Sequence, residues 1–469
     1  MPPPAGKTPA AWPAYIKLLP LLAVLLYLAV ISRFPTVTQV KWQAPASVIT
    51  PGSETHTART AAQAGGNSSS SNSSSSSNAA LLEAAKQPVV IGLQRSGQWP
   101  FWQAMHAPQR ISDIGVRAKT NMQGPAMDAA HPDWHELNCT CQGVPIDCVF
   151  TMNASRFATA DGMYIHTPGT REASGIPPRQ HPKQIRFAVS LESAAYYNWI
   201  DDPHYMCNYE SEATYRSCSQ VQSTMHHETQ HDFVTGTNMV HAPELPYEQK
   251  QDGVAYINSN CGSPSGRAKI MAEWVTLPNA RVAVHAFGTC SNNKPWPEEQ
   301  GRKLSKREVF QRYKFCVAME NSISFDYITE KIWDALSSGC VPIYKGSSNI
   351  LDIMPEPQAV IIYGQGGNAS TVAELDALVA DIMADRSRYE RMLAWKHKPL
   401  HQLSPGYQRY HAMLQGGTNE CRMCAHIVQR RLSGDFLRAA TCLWNQTWLK
   451  QAGQVFQNVT CPGDVSAPA

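Results

Sequence analysis

Glu320, Asn321, Asp326, Tyr327, Glu330 and Lys331 crowd one short polar stretch of this 469-residue chain. An ammonium, an amide and a phenol among carboxylates are groups that grip a polar ligand carrying negative charge. Arg267 lies beyond this stretch, directly after Ser259-Asn260-Cys261-Gly262-Ser263-Pro264-Ser265-Gly266. Small residues there let a backbone approach a ligand closely, and a guanidinium forks onto two oxygens of a diphosphate. Glu192 follows the apolar run Ile185–Ser190 within Ser190-Leu191-Glu192-Ser193. A carboxylate at a strand end can serve as a general base across a cleft, although a surface acid beside a turn has the same local pattern. His227-Glu228-Thr229-Gln230-His231 matches H-E-x-x-H, in which two imidazoles one helical turn apart bind zinc. Thr229 and Gln230 deny that helix the apolar side it needs, so a zinc protease stands only as an alternative.

The elements that must hold these residues read as α/β units. Lys314–Met319 has the length and residue types of a buried strand, and Gly339–Tyr344 is a second such run. Between them Thr329, Glu330 and Lys331 open a helix whose Ile332, Trp333, Ala335 and Leu336 share one face, with Gly339 as its C-terminal cap. Ligands of such units sit at the carboxyl ends of the strands. Gly253–Ile257, Val282–Phe287 and Val360–Tyr363 supply further strands of a second domain, with helices over Ala268–Trp274, Val372–Met383 and Arg388–Lys396. Gly364–Gly367 lacks a strand–loop–helix setting and reads as a loop. A first domain draws on Val89–Leu93, Val144–Phe150, Gly162–Ile165 and Ile185–Ser190.

The length calls for two domains with accessory segments. A net charge of +3 with scattered basic residues sets nucleic acid aside as a partner. Leu18–Ile31 is an apolar run bracketed by Lys17 and Arg33, read as a transmembrane signal anchor with a lumenal remainder. Residues 33–87, ending in a serine-rich tract, form a flexible stem on composition. Asn138, Asn153, Asn368, Asn445 and Asn458 open sequons that can carry glycans. Thirteen cysteines point to an oxidising compartment. There the Cys421/Cys424 C-x-x-C reads as a structural disulfide rather than a zinc or redox site, and Cys261 with Cys290 can bridge after neighbouring strands. Cys316 and Cys340 fall inside strands, where a buried free thiol is the ordinary state.

The stretch YKFCVAMENSISFDYITEK, continued by GCVPIYKGSSNI and LAWKHKP, resembles the signature of the α1,3-fucosyltransferases, glycosyltransferase family 10. SNCGSPSGR, AFGTC and CRMCAHIV resemble its plant-type members, which fucosylate the N-glycan core, and SLESAAYY is similar to the family's glutamate motif. Met319 stands where the family usually has Phe. The resemblance implies a GT-B architecture, two Rossmann-like domains facing a cleft. On that basis the chain divides into a cytosolic tail (1–17), the anchor (18–32), the stem (33–87), an acceptor-side domain (88–247), a GDP-fucose-binding domain (248–395) and a carboxyl-terminal extension with the C-x-x-C (396–469). It implies inverting transfer of L-fucose from GDP-β-L-fucose, in α1,3 linkage, to a GlcNAc of glycoprotein N-glycans, of the core or, alternatively, of a Lewis-type antenna. Arg267 and Lys331 would neutralise the diphosphate, Tyr327 would hydrogen-bond it, Glu330 would hold the ribose and Glu192 would be the base. Glu320 and Asn321 belong to the donor site by motif. No D-x-D triplet for a nucleotide-sugar metal occurs in the chain, so no metal cofactor is expected, and divalent ions could act only as stimulants. The implied location is the Golgi membrane, single-pass type II with a lumenal catalytic domain. A non-catalytic lumenal sugar-binding protein would share the fold.

Overall fold

The computed structural model describes residues 72–93, 133–136, 139–225, 245–415, 417–437, 442–454 and 461. The apolar run at 18–32, the H-E-x-x-H segment, Asn138 and Asn458 lie outside them. Among the described residues no helix is long and apolar enough to cross a membrane.

The chain enters through a helix, α1 (Asn72–Lys86), and builds a six-stranded sheet from β1 (Val89–Leu93), β2 (Asp133–Glu136), β3 (Cys148–Thr151), β4 (Gly162–His166), β5 (Ile185–Ser190) and β6 (Ser211–Thr214). The strand order is β2-β3-β1-β4-β5-β6, and only the β2 edge runs antiparallel. Alternate side chains take opposite faces, as a pleated strand requires. Ile185, Phe187 and Val189 enter one core with Tyr164, while Ala188 enters another with Met163 and Ile165. The expected strand Val144–Phe150 is broken: Val144–Pro145 pairs in a small hairpin with Thr140–Cys141 before β3 begins.

The second lobe contains β7 (Gln251–Asn258), α2 (Arg267–Val275), β8 (Val284–Gly288), β9 (Tyr313–Met319), α3 (Glu330–Ser338), β10 (Val341–Lys345) and β11 (Ile361–Ile362). Its five strands are all parallel, in the order β8-β7-β9-β10-β11. Helices α4 (Val372–Ala384) and α5 (Arg386–Leu393) pack on Phe315, Val317 and Met319 of β9, while α3 packs on Cys316 and Ala318 from the opposite face. Every residue of β9 is buried, which suits the central strand of a sheet covered on both sides. At the end of α3, Gly339 takes φ 73°, the left-handed conformation that glycine adopts without strain.

Helices α6 (Pro405–Gln415) and α7 (Asn419–Ser433) then lead back to the first lobe. Met423, Ile427 and Val428 of α7 enter the core of the first sheet beside Leu81 and Ala85 of α1. Two sequence expectations are corrected here. Residues 72–86, assigned to a flexible stem, are helical, and Leu81 is only 3% exposed because an apolar stripe on α1 meets α7. The segment after 395 is no appendage, because α7 covers a face of the first sheet.

The cysteine pattern explains how firmly that return is held. Cys421 pairs with Cys139 and Cys424 with Cys148, with Cα–Cα distances of 4.9 and 5.9 Å. The two C-x-x-C thiols are therefore not bonded to each other. Residues three apart on a helix share a face, and on α7 that face meets Cys139 ahead of the small hairpin and Cys148 at the start of β3. Cys207–Cys461 and Cys218–Cys442 add two more links between the first lobe and the chain end. Cys261–Cys290 forms after β7 and β8 as expected. Cys316 and Cys340, expected as free thiols, are bonded, since α3 brings the start of β10 beside β9. Cys141 is the remaining free thiol.

Candidate active site

In the order β8-β7-β9, β7 is first in sequence and β9 third, so successive crossovers leave the β7/β9 boundary in opposite directions. A crevice opens at such a switch point, beyond the carboxyl ends of the strands. A cavity of about 300 Å³ occupies this place, lined by Tyr256 and Asn258 at the end of β7 with Asn260 beyond it, by Met319 at the end of β9 with Asn321 beyond it, and by Arg267, Lys306, Glu330 and Lys331. Three cations against one carboxylate give it the charge for an anion.

Arg267 is the first residue of α2, following Gly266 at φ 71°. Its Nη1 donates to the Met319 carbonyl at 2.9 Å and its Nη2 to Asn258 Oδ1 at 2.8 Å. A guanidinium has five N–H groups, so these braces leave three, and its buried Nε has no partner among the described residues. The loop before it is tied to the end of β9, with Ser265 N–H donating to Asn321 O and Ser265 Oγ to Glu320 O.

Lys331 is 17% exposed at its side chain and is held from behind. Its Nζ donates to Thr329 Oγ1 at 2.7 Å and Glu330 Oε1 at 3.1 Å, and lies 3.3 Å from Glu320 Oε2. Burial pulls its pKa down, but Glu330 and Glu320 outweigh that and hold it above the usual lysine value. Glu320 is not presented to the cavity. It is 0% exposed, and its oxygens accept from Thr329 N–H at 2.8 Å and Thr329 Oγ1 at 2.7 Å. It thus caps α3 in place of the Thr329 side chain, which makes no cap of its own. Gly346 makes room for it, since a Cβ there would lie 2.7 Å from Glu320 Cγ. Glu320, assigned to the donor site by motif, stands behind the cavity wall, hydrogen-bonded to Thr329 and paired with Lys331.

Glu192 and Tyr327 come together from different lobes. Glu192 stands just past β5, and the Tyr327 hydroxyl donates to its Oε2 at 3.1 Å. Burial raises the Glu192 pKa, while Tyr327, Lys331 and Asn321 oppose the rise, leaving it above the ordinary glutamate value. Tyr327 itself is pushed well above the normal phenol range by burial and by Glu192. Its side chain does not line the cavity, so its observed partner is the carboxylate rather than a diphosphate position. The Tyr327 ring meets Tyr215 edge-on at 5.1 Å, and Asn260 Nδ2 donates to Tyr196 OH at 3.3 Å, two further contacts across the cleft.

Sequence reasoning missed Lys306 and Asn258, and it singled out Asp326 only as one acid of the polar stretch. Lys306 lines the cavity and pairs with Asp334 at 2.8 Å; it sat in a basic cluster with no local feature to distinguish it. Asn258 ends a strand in a segment already singled out for its small residues, and its position was the available signal. Of the sequons, Asn153, Asn368 and Asn445 are exposed.

Residues 247–438 match the family model described as "Glycosyltransferase family 10 (fucosyltransferase) C-term". The chain is 27% identical over 315 residues to GDP-fucose protein O-fucosyltransferase 3 of Danio rerio, covering 64% of this chain and 66% of that protein. It is 33% identical over 150 residues to the Bos taurus protein of the same name, covering 31% and 30%. The chain thus spans less than two thirds of the length of these relatives. A crystal structure of an α1,3-fucosyltransferase aligns with a TM-score of 0.44 at 15% identity, over 76% of this chain and 95% of that one. The segment 247–438, which contains the β7/β9 cavity, is thus similar to the carboxyl-terminal domain of the glycosyltransferase family 10 fucosyltransferases.

Proposed function

We propose that the protein is an inverting fucosyltransferase that uses GDP-β-L-fucose as donor. One observation carries the reading: a partly buried carboxylate with a raised pKa, Glu192, stands on one lobe and interacts with Asn321 and Lys331, which line a cationic cavity built by the other. In this reading the diphosphate lies against Arg267, Lys331 and Lys306, with Glu330 toward the ribose and Asn321 at the rim. The acceptor oxygen forms a bond to the fucose anomeric carbon as Glu192 takes its proton. The bond from that carbon to the β-phosphate oxygen breaks, and its electron pair leaves on GDP. Fixed cations stabilise the charge that grows there, and a base facing the donor lobe places attack opposite the leaving group.

For the acceptor, the names of the relatives favour a hydroxyl on a protein. The motifs shared with plant-type members favour α1,3 transfer to the core GlcNAc of an N-glycan. The six disulfides suit a secretory-pathway lumen, consistent with a Golgi type II protein anchored through residues 18–32. The test incubates residues 69–469 with GDP-fucose and a panel of folded disulfide-bonded domains, core N-glycans and antennary glycans, and locates fucose by mass spectrometry. Fucose on Ser or Thr supports the first acceptor and on core GlcNAc the second. No transfer and no release of fucose from GDP refutes the activity.

A further inference from the structure

We propose that Asp326 is a positioning residue that latches the β9–α3 loop to the first lobe and thereby keeps the Tyr327 hydroxyl on Glu192. The inference rests on the reading of Glu192 as the base.

Asp326 takes φ 64°, a left-handed conformation that non-glycine residues rarely hold and that Asp and Asn tolerate best. It is 8% exposed, and its carboxylate is saturated from three parts of the chain. Oδ2 accepts from Ser217 N–H and Ser217 Oγ, both at 2.8 Å, and from Trp448 Nε1 at 2.7 Å. Oδ1 accepts from Asn349 Nδ2 at 2.8 Å, whose own Oδ1 takes the Asp326 N–H at 3.1 Å. Ser217 belongs to the first lobe, and the adjacent Cys218–Cys442 bond fixes the segment that presents Trp448. Only Asn349 comes from the lobe of Asp326 itself.

The neighbouring residue makes the second crossing. Tyr327 reaches Glu192, and Tyr215, on which its ring rests, accepts from Ala194 N–H at 3.2 Å. Two consecutive side chains thus land on the first lobe, one at Ser217 and one at Glu192. A cavity of about 380 Å³ adjoins Asp326 between Tyr215, Ser217 and Asn349. Packing does not fill that side of the loop, so hydrogen bonds must hold it. Donors face both oxygens of the side chain, and a carboxylate accepts at both, whereas a carboxamide sets an NH2 donor against one of them. A loosened loop lets the phenol drift from Glu192, and displacement of a reacting group by about 1 Å can cost roughly 100-fold in rate.

The test compares Asp326→Asn, Tyr327→Phe and the double variant. Asp326→Asn preserves the tolerated backbone conformation. We expect fucose-transfer kcat to fall by about 10-fold to 100-fold with little change in donor KM. The acid limb of the pH–rate profile should move to higher pH in both single variants, because the phenol that lowers the Glu192 pKa is no longer in place. The double variant should be no slower than Tyr327→Phe alone. Multiplied losses, or an acid limb that stays put in Asp326→Asn, overturn the proposal. Trp448→Phe removes only one donor and keeps a ring beside Phe325, so it should show the same signs more weakly should Asp326→Asn fold poorly. Amide hydrogen exchange gives a readout independent of turnover. Both latch variants should exchange faster at 192–196 as well as at 324–329, with 267–275 unchanged; acceleration confined to 324–329 overturns the latch. A wild-type protein without transfer would sink the enzymatic reading, and the exchange pattern would still decide the latch.

Discussion

Replacing Lys331 by Met separates two roles this lysine can play, counter-ion to a buried carboxylate and ligand for a diphosphate. Glu320 is fully buried, with Thr329 and the Lys331 ammonium around it. Removing one partner of a buried ion pair costs about 3–5 kcal/mol, and the two Thr329 hydrogen bonds that survive place the expected loss near the lower end, about 3 kcal/mol. The sign of the pH dependence follows from Glu320. Burial already holds its pKa above the unfolded value despite Lys331, and losing Lys331 raises it further. A carboxyl with a raised folded-state pKa binds its proton more tightly when folded, so the deficit is full above that pKa and shrinks as pH falls through it. Chemical denaturation midpoints with disulfides intact should therefore separate Lys331→Met from wild type at neutral pH and converge in mild acid. Adding Glu320→Gln should recover most of the stability. GDP affinity by calorimetry should fall about 10-fold to 100-fold in Lys331→Met, as loss of a charge-assisted contact implies. The double variant should not regain it. Restored GDP binding in the double variant would show that Lys331 serves only as a counter-ion, and unchanged stability of Lys331→Met would refute the buried pair.

Two further outcomes follow from the geometry. Glu192 must be ionised to accept a proton, and burial lifts its pKa despite Tyr327, Lys331 and Asn321. The kcat/KM profile should hold at higher pH and fall with unit slope as pH drops through a value above the ordinary glutamate range; a profile flat into that range contradicts the assignment. Non-reducing peptide mapping should find Cys139–Cys421 and Cys148–Cys424 linked, and a Cys421–Cys424 peptide would overturn the docking of α7.

What could be read from the sequence was carried by local pattern. The β9–α3–β10 unit shows itself through apolar runs and a helical face closed by Gly339, and the turn before α2 points to Arg267. These signals lie within a few residues of the groups they position. What could not be read depends on residues far apart in the chain. Leu81 is buried only because α7 arrives from hundreds of residues away, and the Cys421/Cys424 spacing is silent about partners on the first sheet. Asp326 looks like one more loop acid until Ser217 and Trp448 are seen around it. Glu320 and Tyr327 were found by motif, but their partners, Thr329 and Glu192, required the folded chain.

The central claim is that the first lobe provides the base for a donor held by the second, and Glu192→Gln tests it most directly. Gln is nearly isosteric and still accepts from Tyr327, so the lobes should stay in register. With the acceptor identified by the panel, transfer from GDP-fucose should drop by about 10²–10⁴-fold, while calorimetry should find GDP bound as in wild type. Transfer at a rate near wild type would contradict the account.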